Sequence, residues 1–565
     1  MDRKSIGKST GINRRDFGKA VAAGTFGGIV CGCRTSKPFD VIVRNGMIFD
    51  GLGNAAFQAD LGIVGDRISV VGDLGNASAE TAVDAGGHAV SPGFIDIHTH
   101  TDLGLIVNPR GESKVRQGVT TEVGGNCGDS LFPLNEADFE SIDENVYQEY
   151  GFHPDWRDID GFLGRLEKQR ISINYATFTG HGRLRSHVVG RNDVPASDEQ
   201  ISEMKEILQR SMELGSYGLS SGLEYAPGSY ATTEELVELS KVVASKNGVY
   251  ATHIRNEDER VEDAVGEALE ICRDSGVSLQ ISHLKANNPG NWDKLDRVLE
   301  MIHEADGSGL PVNADRYPYI AYSTGLSIFL PLWSLQGNPD DLMARLNDPA
   351  AAKKILDHVG NRGEMIGGWD RVVISSCFTD ANKRWEGRSI KDGAAEMKLE
   401  PLEFVRKILL EERNRVQIVG FGMNEDNLKK VFSSPLVMVG SDGNAVAPYG
   451  KMAEGKPHPR YYGTFPRVLG KYCRDEKLFG LSAALKKMTS MPADKLGLAG
   501  RGRIAEGCYA DIVIFNPDEV IDRATFKDPH HFPSGIEHVL VNGRITVERG
   551  EHTGAMAGAV LRNRA

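Results

Sequence analysis

Six residues of metal-ligand type are spread along the 565-residue chain: His98 and His100, Cys127, His253, His283 and Asp442. Imidazole, thiolate and carboxylate together suit zinc, a borderline-soft divalent ion. Zinc supplies hydrolytic chemistry, because it lowers the pKa of water and polarises a carbonyl. His98 and His100 are two residues apart, so on a strand both rings face the same way. Taken singly, each residue has an ordinary explanation. A lone histidine is more often a satisfied polar group, and a lone cysteine a small buried hydrophobe. Asp442, in Gly440-Ser441-Asp442-Gly443, could cap a helix or shape a turn. Packing explains the set poorly, because five ligand-type groups fall just past four strand-like runs and an aspartate falls past the eighth. His88, His153, His187, His303 and His552 lie outside such positions and read as surface or turn residues. Cys272, Cys377, Cys473 and Cys508 read as structural. His181, in Thr179-Gly180-His181-Gly182, either approaches the site or serves its own loop.

The elements that must position this set are eight strand-like runs, at 93–97, 119–123, 173–178, 216–220, 249–252, 277–281, 311–314 and 436–440. Helical stretches separate them. In the stretch 199–214, Ile201, Met204, Ile207, Leu208 and Met212 form one stripe. Eight such units predict a (β/α)₈ TIM barrel spanning 92–480, with its active site at the C-terminal ends of the strands. The interval from about 320 to 435 is too long for one connection and predicts an inserted lid subdomain. Residues 37–91 carry short β runs punctuated by Gly, Asn and Asp, and 481–565 hold the last barrel helices followed by similar β runs. Neither end can bury a sheet face alone, so the two are expected to form one small β-sandwich.

Composition narrows the partners. There are 65 basic and 78 acidic residues, a net charge of −13, and no long basic run. Nucleic acid and an anionic membrane surface are poor partners for such a chain. Seven cysteines in 565 residues make no disulfide framework. Residues 1–36 are read as an export signal or tether. Basic residues precede a short Gly/Ala-rich apolar run, and Arg14-Arg15-Asp16-Phe17 resembles the twin-arginine export signal of bacteria. Val30-Cys31-Gly32-Cys33 looks like a lipoprotein cleavage box, with Cys33 the lipidated residue. The expected location is therefore exported, either periplasmic or lipid-anchored in the cell envelope.

Pro92-Gly93-Phe94-Ile95-Asp96-Ile97-His98-Thr99-His100 resembles the metal motif of the amidohydrolase superfamily. Most members use a carboxylated lysine to bridge two metals, whereas this chain has Gly124-Gly125-Asn126-Cys127-Gly128. That cysteine is similar to the pattern of the D-aminoacylases, or N-acyl-D-amino-acid deacylases. So are Thr252-His253-Ile254-Arg255-Asn256-Glu257, Ser282-His283-Leu284-Lys285, Gly440-Ser441-Asp442-Gly443 and His458-Pro459-Arg460. The resemblance runs from about residue 39 to the C-terminus. It implies hydrolysis of the amide of an N-acyl-D-amino acid. It further implies a tight zinc on Cys127, His253 and His283, a weaker second position at His98 and His100 bridged by Cys127, and Asp442 as general base. Lys285, Tyr317, Ser323 and Arg460 would grip the substrate's α-carboxylate, with Tyr225 also assigned to substrate binding. A hydantoinase-like or dihydropyrimidinase-like cyclic amidase is the nearest alternative; it would want the bridging lysine and lack the carboxylate clamp. A second alternative is an exported binding lipoprotein without catalysis. The run 326–333 has no basic residue; if it lines the side-chain pocket, apolar D-residues are preferred over D-Asp or D-Glu.

Overall fold

The computed structural model describes residues 39–563. The readings made for the first 36 residues, export and lipidation at Cys33, lie outside the described residues. Eight parallel strand positions form a closed ring. They are Phe94–Asp96, Val119–Gly124, Asn174–Thr177 continuing as Thr179–Gly180, Gly218–Gly222, Val249–His253, Ser278–Ile281, Val312–Arg316 and Val437–Val439. Each pairs in parallel with the next. A bridge between Thr99 and Gly443 closes the last strand onto the first. The strands are short and buried along most of their length, as parallel strands covered by helices must be. Between the third and fourth strands, helix Asp198–Glu213 starts at a capping box of Ser197 and Gln200. It buries Met204, Leu208 and Met212, while Ile201 and Ile207 are half-buried at the stripe's edge.

After the seventh strand the chain leaves the barrel. Strands Tyr322–Gly325, Gln417–Gly420 and Val372–Ser376 form a separate antiparallel sheet in that order. Helices including Pro339–Asn347, Pro349–Met365 and Pro401–Glu411 pack on it. Its core, with Leu326, Phe329, Ile355, Trp385 and Phe404, is distinct from that of the barrel. The interval 320–435 overshoots this unit. Helix Glu425–Ser433 packs with the barrel instead, through Leu428, Val431 and Phe432. An amphipathic stripe shows that a helix has an apolar face and says nothing of which unit covers it.

The two ends of the described chain share one nine-stranded sheet. Its junction is the antiparallel pairing of Ala89–Pro92 with Ile512–Phe515. Side chains alternate across the sheet. Val41, Val43, Ile63, Ile512, Ile514 and Leu540 fill one cluster. Val513, Phe515, Val539 and Val541 face the other way, into the cluster that holds Phe94 and Phe465 of the barrel. The sheet thereby braces the N-terminal part of the first barrel strand, which carries the two leading histidines at its far end. No described helix is long and apolar enough to cross a membrane.

Candidate metal centre

Three of the ligand-type residues sit in strained backbone. Cys127, His283 and Asp442 have φ of 51°, 34° and 50°, a left-handed region that costs non-glycine residues free energy and concentrates at functional sites. Neighbouring hydrogen bonds hold each in place. Gly125 N–H donates to Asp102 Oδ1 at 2.9 Å and Gly128 N–H to Ser220 Oγ at 3.0 Å, on either side of Cys127. A side chain at Gly125 would lie 2.2 Å from the Phe178 carbonyl oxygen, so the loop requires glycine there. His283 N–H donates to Asp315 Oδ1 at 2.8 Å, and Asp442 N–H to the His98 carbonyl at 2.8 Å. The result is a set of side chains aimed at one point above the strand ends.

Cys127 Sγ lies 3.6 Å from His283 Nε2 and 3.3 Å from His98 Nε2. His253 Nδ1 and His283 Nε2 are 3.0 Å apart. Sulfur and nitrogen donors at about 2.3 and 2.1 Å on tetrahedral corners lie roughly 3.6 Å from one another, so Cys127, His253 and His283 fit zinc. His98, His100 and Cys127 form a second group of ligand atoms within 4.8 Å, and His98, His283 and Asp442 a third. Cys127 belongs to the first two groups. The His100 ring reaches Asp442 Oδ1 at 3.1 Å. Burial alone would push the Cys127 thiol up, yet the His98 charge and the hydrogen bonds of His100, His253 and His283 hold it well below the usual thiol range. Burial would likewise depress His100 and His253. Asp442 and Cys127 instead hold His100 at about 9, while Glu257, Cys127 and Glu224 hold His253 at about 10. Bare, the cluster balances a thiolate and carboxylates with imidazolium charge; a divalent cation replaces that charge.

Three carboxylates stand behind the histidines. Asp315 Oδ1 meets His98 Nδ1 at 3.1 Å, Glu224 Oε2 meets His253 Nε2 at 3.3 Å, and Glu257 Oε1 meets His283 Nδ1 at 2.9 Å. Such pairs fix ring tautomer and orientation in metal sites. None of the three is among the residues expected at the site from sequence. The available signal was their position, since Asp315 lies within the seventh strand and Glu224 and Glu257 follow the fourth and fifth.

A cavity of about 550 Å³ opens over the cluster, lined among others by Lys285, Tyr317, Ser323, Arg460 and Tyr225. The structure therefore brings all the sequence-derived site residues to one place; each lines the cavity except the fully buried His98, whose Nε2 lies 3.3 Å from Cys127 Sγ. Arg460 Nη1 donates to Asp442 Oδ2 at 2.7 Å, and Nη2 to the Ser323 carbonyl at 3.3 Å. Lys285 Nζ bonds Glu257 and lies 2.9 Å from His283 Nδ1. Tyr225 Oη meets Thr324 Oγ1 at 3.2 Å, a contact between barrel and insertion. The Tyr317 hydroxyl is buried and has no hydrogen-bond partner. His181 follows neither reading: it opens the helix His181–Val188, and its Nε2 pairs with Glu235 Oε1 of the helix Thr233–Ser245 at 2.9 Å, outside the cavity lining. Of the run 326–333, Leu326 and Phe329 are lid core. Ile328 lines the cavity, and Leu330 to Trp333 line an adjoining hollow that shares Tyr225 and Ile328 with it. Arg362, from helix Pro349–Met365, also lines the cavity and is ion-paired with Asp258. Nothing in its sequence neighbourhood marks it, because it arrives from the insertion.

The model of the amidohydrolase family matches residues 413–547. The chain is 35% identical over 532 residues to a D-aminoacylase of Alcaligenes xylosoxydans xylosoxydans, covering 93% of this chain and 98% of that protein. It is 36% identical to an N-acyl-D-glutamate deacylase of the same organism, covering 90% and 93%. Its fold is similar to the crystal structure of an N-acyl-D-glutamate deacylase from Bordetella bronchiseptica, complexed with zinc and a phosphonate mimic of the reaction's tetrahedral intermediate. The TM-score is 0.79 at 33% identity, covering 93% of this chain and all of that one.

Proposed function

Because this chain belongs to the D-aminoacylases of the amidohydrolase family, we propose that it hydrolyses the amide bond of N-acyl-D-amino acids with zinc, giving a carboxylate and a free D-amino acid. The observation that carries this reading is the thiolate–imidazole set whose histidines meet Asp442, a carboxylate paired to Arg460, at one cavity. Cys127, His253 and His283 would hold the tight ion, and His98 and His100 the second position. When bound, zinc supplies an acidified water and a polarised carbonyl. Asp442 accepts the proton of the attacking water and returns it to the departing nitrogen. Its Oδ1 faces the histidines and its Oδ2 faces Arg460.

Arg460, Lys285, Tyr317 and Ser323 are assigned to the substrate's α-carboxylate. A carboxylate entering a desolvated cavity needs matched donors, and the unpartnered Tyr317 hydroxyl and Arg460 Nε offer two. Fixing that group fixes which face of the α-carbon meets the metal, and so selects one hand. For the side chain we propose apolar D-residues. Support comes from Ile328, Leu330, Pro331, Leu332 and Trp333, which line the adjoining hollow, and from Asp258 already neutralising Arg362. The test is kcat/KM for N-acetyl-D-Leu, D-Met, D-Glu and L-Leu, with Asp442→Asn alongside. D over L, apolar over D-Glu, and a loss of about 10²–10⁴ in rate for Asp442→Asn are expected. Preference for L-Leu overturns the chirality, preference for D-Glu the pocket, and near-normal turnover of the zinc-loaded Asp442→Asn variant the assigned base. Export with processing at Cys33 is also proposed, on the N-terminal motifs alone; a native protein whose intact mass begins at Met1 refutes it.

A further inference from the structure

Beneath the metal ligands, the barrel interior holds a second ionic cluster. The short helix Glu112–Val115 delivers Lys114, whose side chain is fully buried, as are those of Asp96 on the first strand and Glu122 on the second. The ammonium has three polar neighbours, two of them hydrogen-bond acceptors and one, Glu122, an ion-pair contact alone. They are Asp96 Oδ2 at 2.9 Å, Ser441 Oγ at 2.7 Å and Glu122 Oε1 at 3.2 Å. The second oxygen of Asp96 accepts the Ser441 backbone N–H at 2.8 Å. Ser441 Oγ in turn accepts the Gly443 N–H at 3.0 Å. The two flanking residues of Asp442 are thus held by one buried ion pair, while the Asp442 N–H and the Gly443 carbonyl bond to His98 and His100 of the first strand. A side chain at Gly443 would lie 3.0 Å from Ser441 Oγ, so the glycine leaves room for that hydroxyl.

A buried salt bridge is weak evidence for stability, because desolvation cancels much of its attraction, and fixing register is its best-attested use. Here every directed contact of the ammonium ends on the first two strands or on the Ser441–Gly443 turn. That turn holds Asp442 at a φ of 50°, a conformation that persists only when its surroundings over-determine it.

We propose that Ser441 and the Lys114–Asp96 pair are positioning residues for the hydrolysis: they hold the turn so that the Asp442 carboxylate points at the metal cluster. The inference rests on the role given to Asp442 above. Lys114→Met leaves two buried carboxylates without a counter-ion and threatens folding, so Ser441→Ala is the primary variant. It removes the bonds from the ammonium and from the Gly443 N–H, and a longer one to the His98 carbonyl, and leaves the ion pairs intact. The zinc-loaded full chain is assayed on the N-acetyl-D-amino acid that the wild type turns over best, with zinc per chain and thermal midpoint measured in parallel. Misplacing a catalytic group by about 1 Å costs on the order of 100-fold. The expected result is a kcat lower by roughly 10- to 100-fold, with KM, zinc content and thermal midpoint little changed. In an Asp442→Asn background the same substitution should cost no more than about threefold, since groups acting as one unit are not additive. An unchanged kcat, an equal loss in the Asp442→Asn background, or a loss that tracks zinc content overturns the proposal. Wild-type protein that turns over no N-acyl-D-amino acid instead overturns the functional reading itself.

Discussion

Arg460 and Asp442 form a buried pair, with Nη1 of the arginine donating to Oδ2 of the aspartate at 2.7 Å. Burial pushes the Asp442 carboxyl up, but Arg460, with His283, His100 and His98 adding, holds it well below the usual carboxylate range. The aspartate is thus kept ionised where it must accept a proton. The same guanidinium reaches the insertion through the Ser323 carbonyl, so one side chain joins the base to the lid.

Arg460→Ala should therefore lower kcat and raise KM together. It removes a substrate anchor and leaves a buried carboxylate without its main counter-charge, a change that typically destabilises a protein by about 3–5 kcal/mol. Steady-state kinetics with a thermal melt checks both effects. An unchanged kcat/KM would remove Arg460 from the carboxylate clamp and from the support of Asp442.

Cys127→Ala should lose zinc and activity while keeping the fold. The thiolate is common to the two groups assigned to zinc, with His253 and His283 and with His98 and His100, whereas the barrel core is formed by other residues. Metal analysis and circular dichroism decide the matter, and full zinc retention sinks it. Chelation of the wild type should abolish turnover, and added zinc should restore it.

Tyr317→Phe separates binding from stability. Its hydroxyl is buried and unpartnered, so removing it gives up no hydrogen bond in the free protein and relieves an unsatisfied group, worth about 1–3 kcal/mol. The expected outcome is a thermal midpoint equal to or above wild type with a raised KM for N-acyl-D-amino acids. A wild-type KM would show that the hydroxyl does not meet the carboxylate.

Acid should weaken the fold partly through His552. Its Nδ1 accepts the Gly554 N–H and its Nε2 meets Ser172 Oγ, each at 2.9 Å, an arrangement suited to a neutral ring. Burial first, then Arg110 and Arg116, pushes it from 6.5 down to about 4. Between those values the unfolded chain binds the proton and the folded one does not. Stability from this group is therefore complete above pH 6.5 and declines as pH falls toward 4. The thermal midpoint of His552→Gln should fall less steeply over that range; an unchanged slope argues against the assignment.

The sequence by itself determined the eight strands, their parallel order, the residue types at their C-terminal ends and the β character of both termini. Each is a local property: strand runs and turn residues are written in consecutive positions, and the i, i+2 spacing of His98 and His100 fixes their common face. Tertiary structure decided what those residues meet. Whether His181 faced the metal or Glu235 depended on a helix more than 50 residues away. Arg362 entered the cavity because an insertion folded over it, and helix Glu425–Ser433 joined the barrel because its apolar stripe found cover there. The carboxylates Glu224 and Glu257 gained their partners from the ends of adjacent strands, and Asp315 gained His98 from across the eighth strand. Periodicity states which side of an element is apolar or polar. Which distant group covers that side is settled by packing, where a buried charge or hydroxyl must find a partner from whatever element lies opposite.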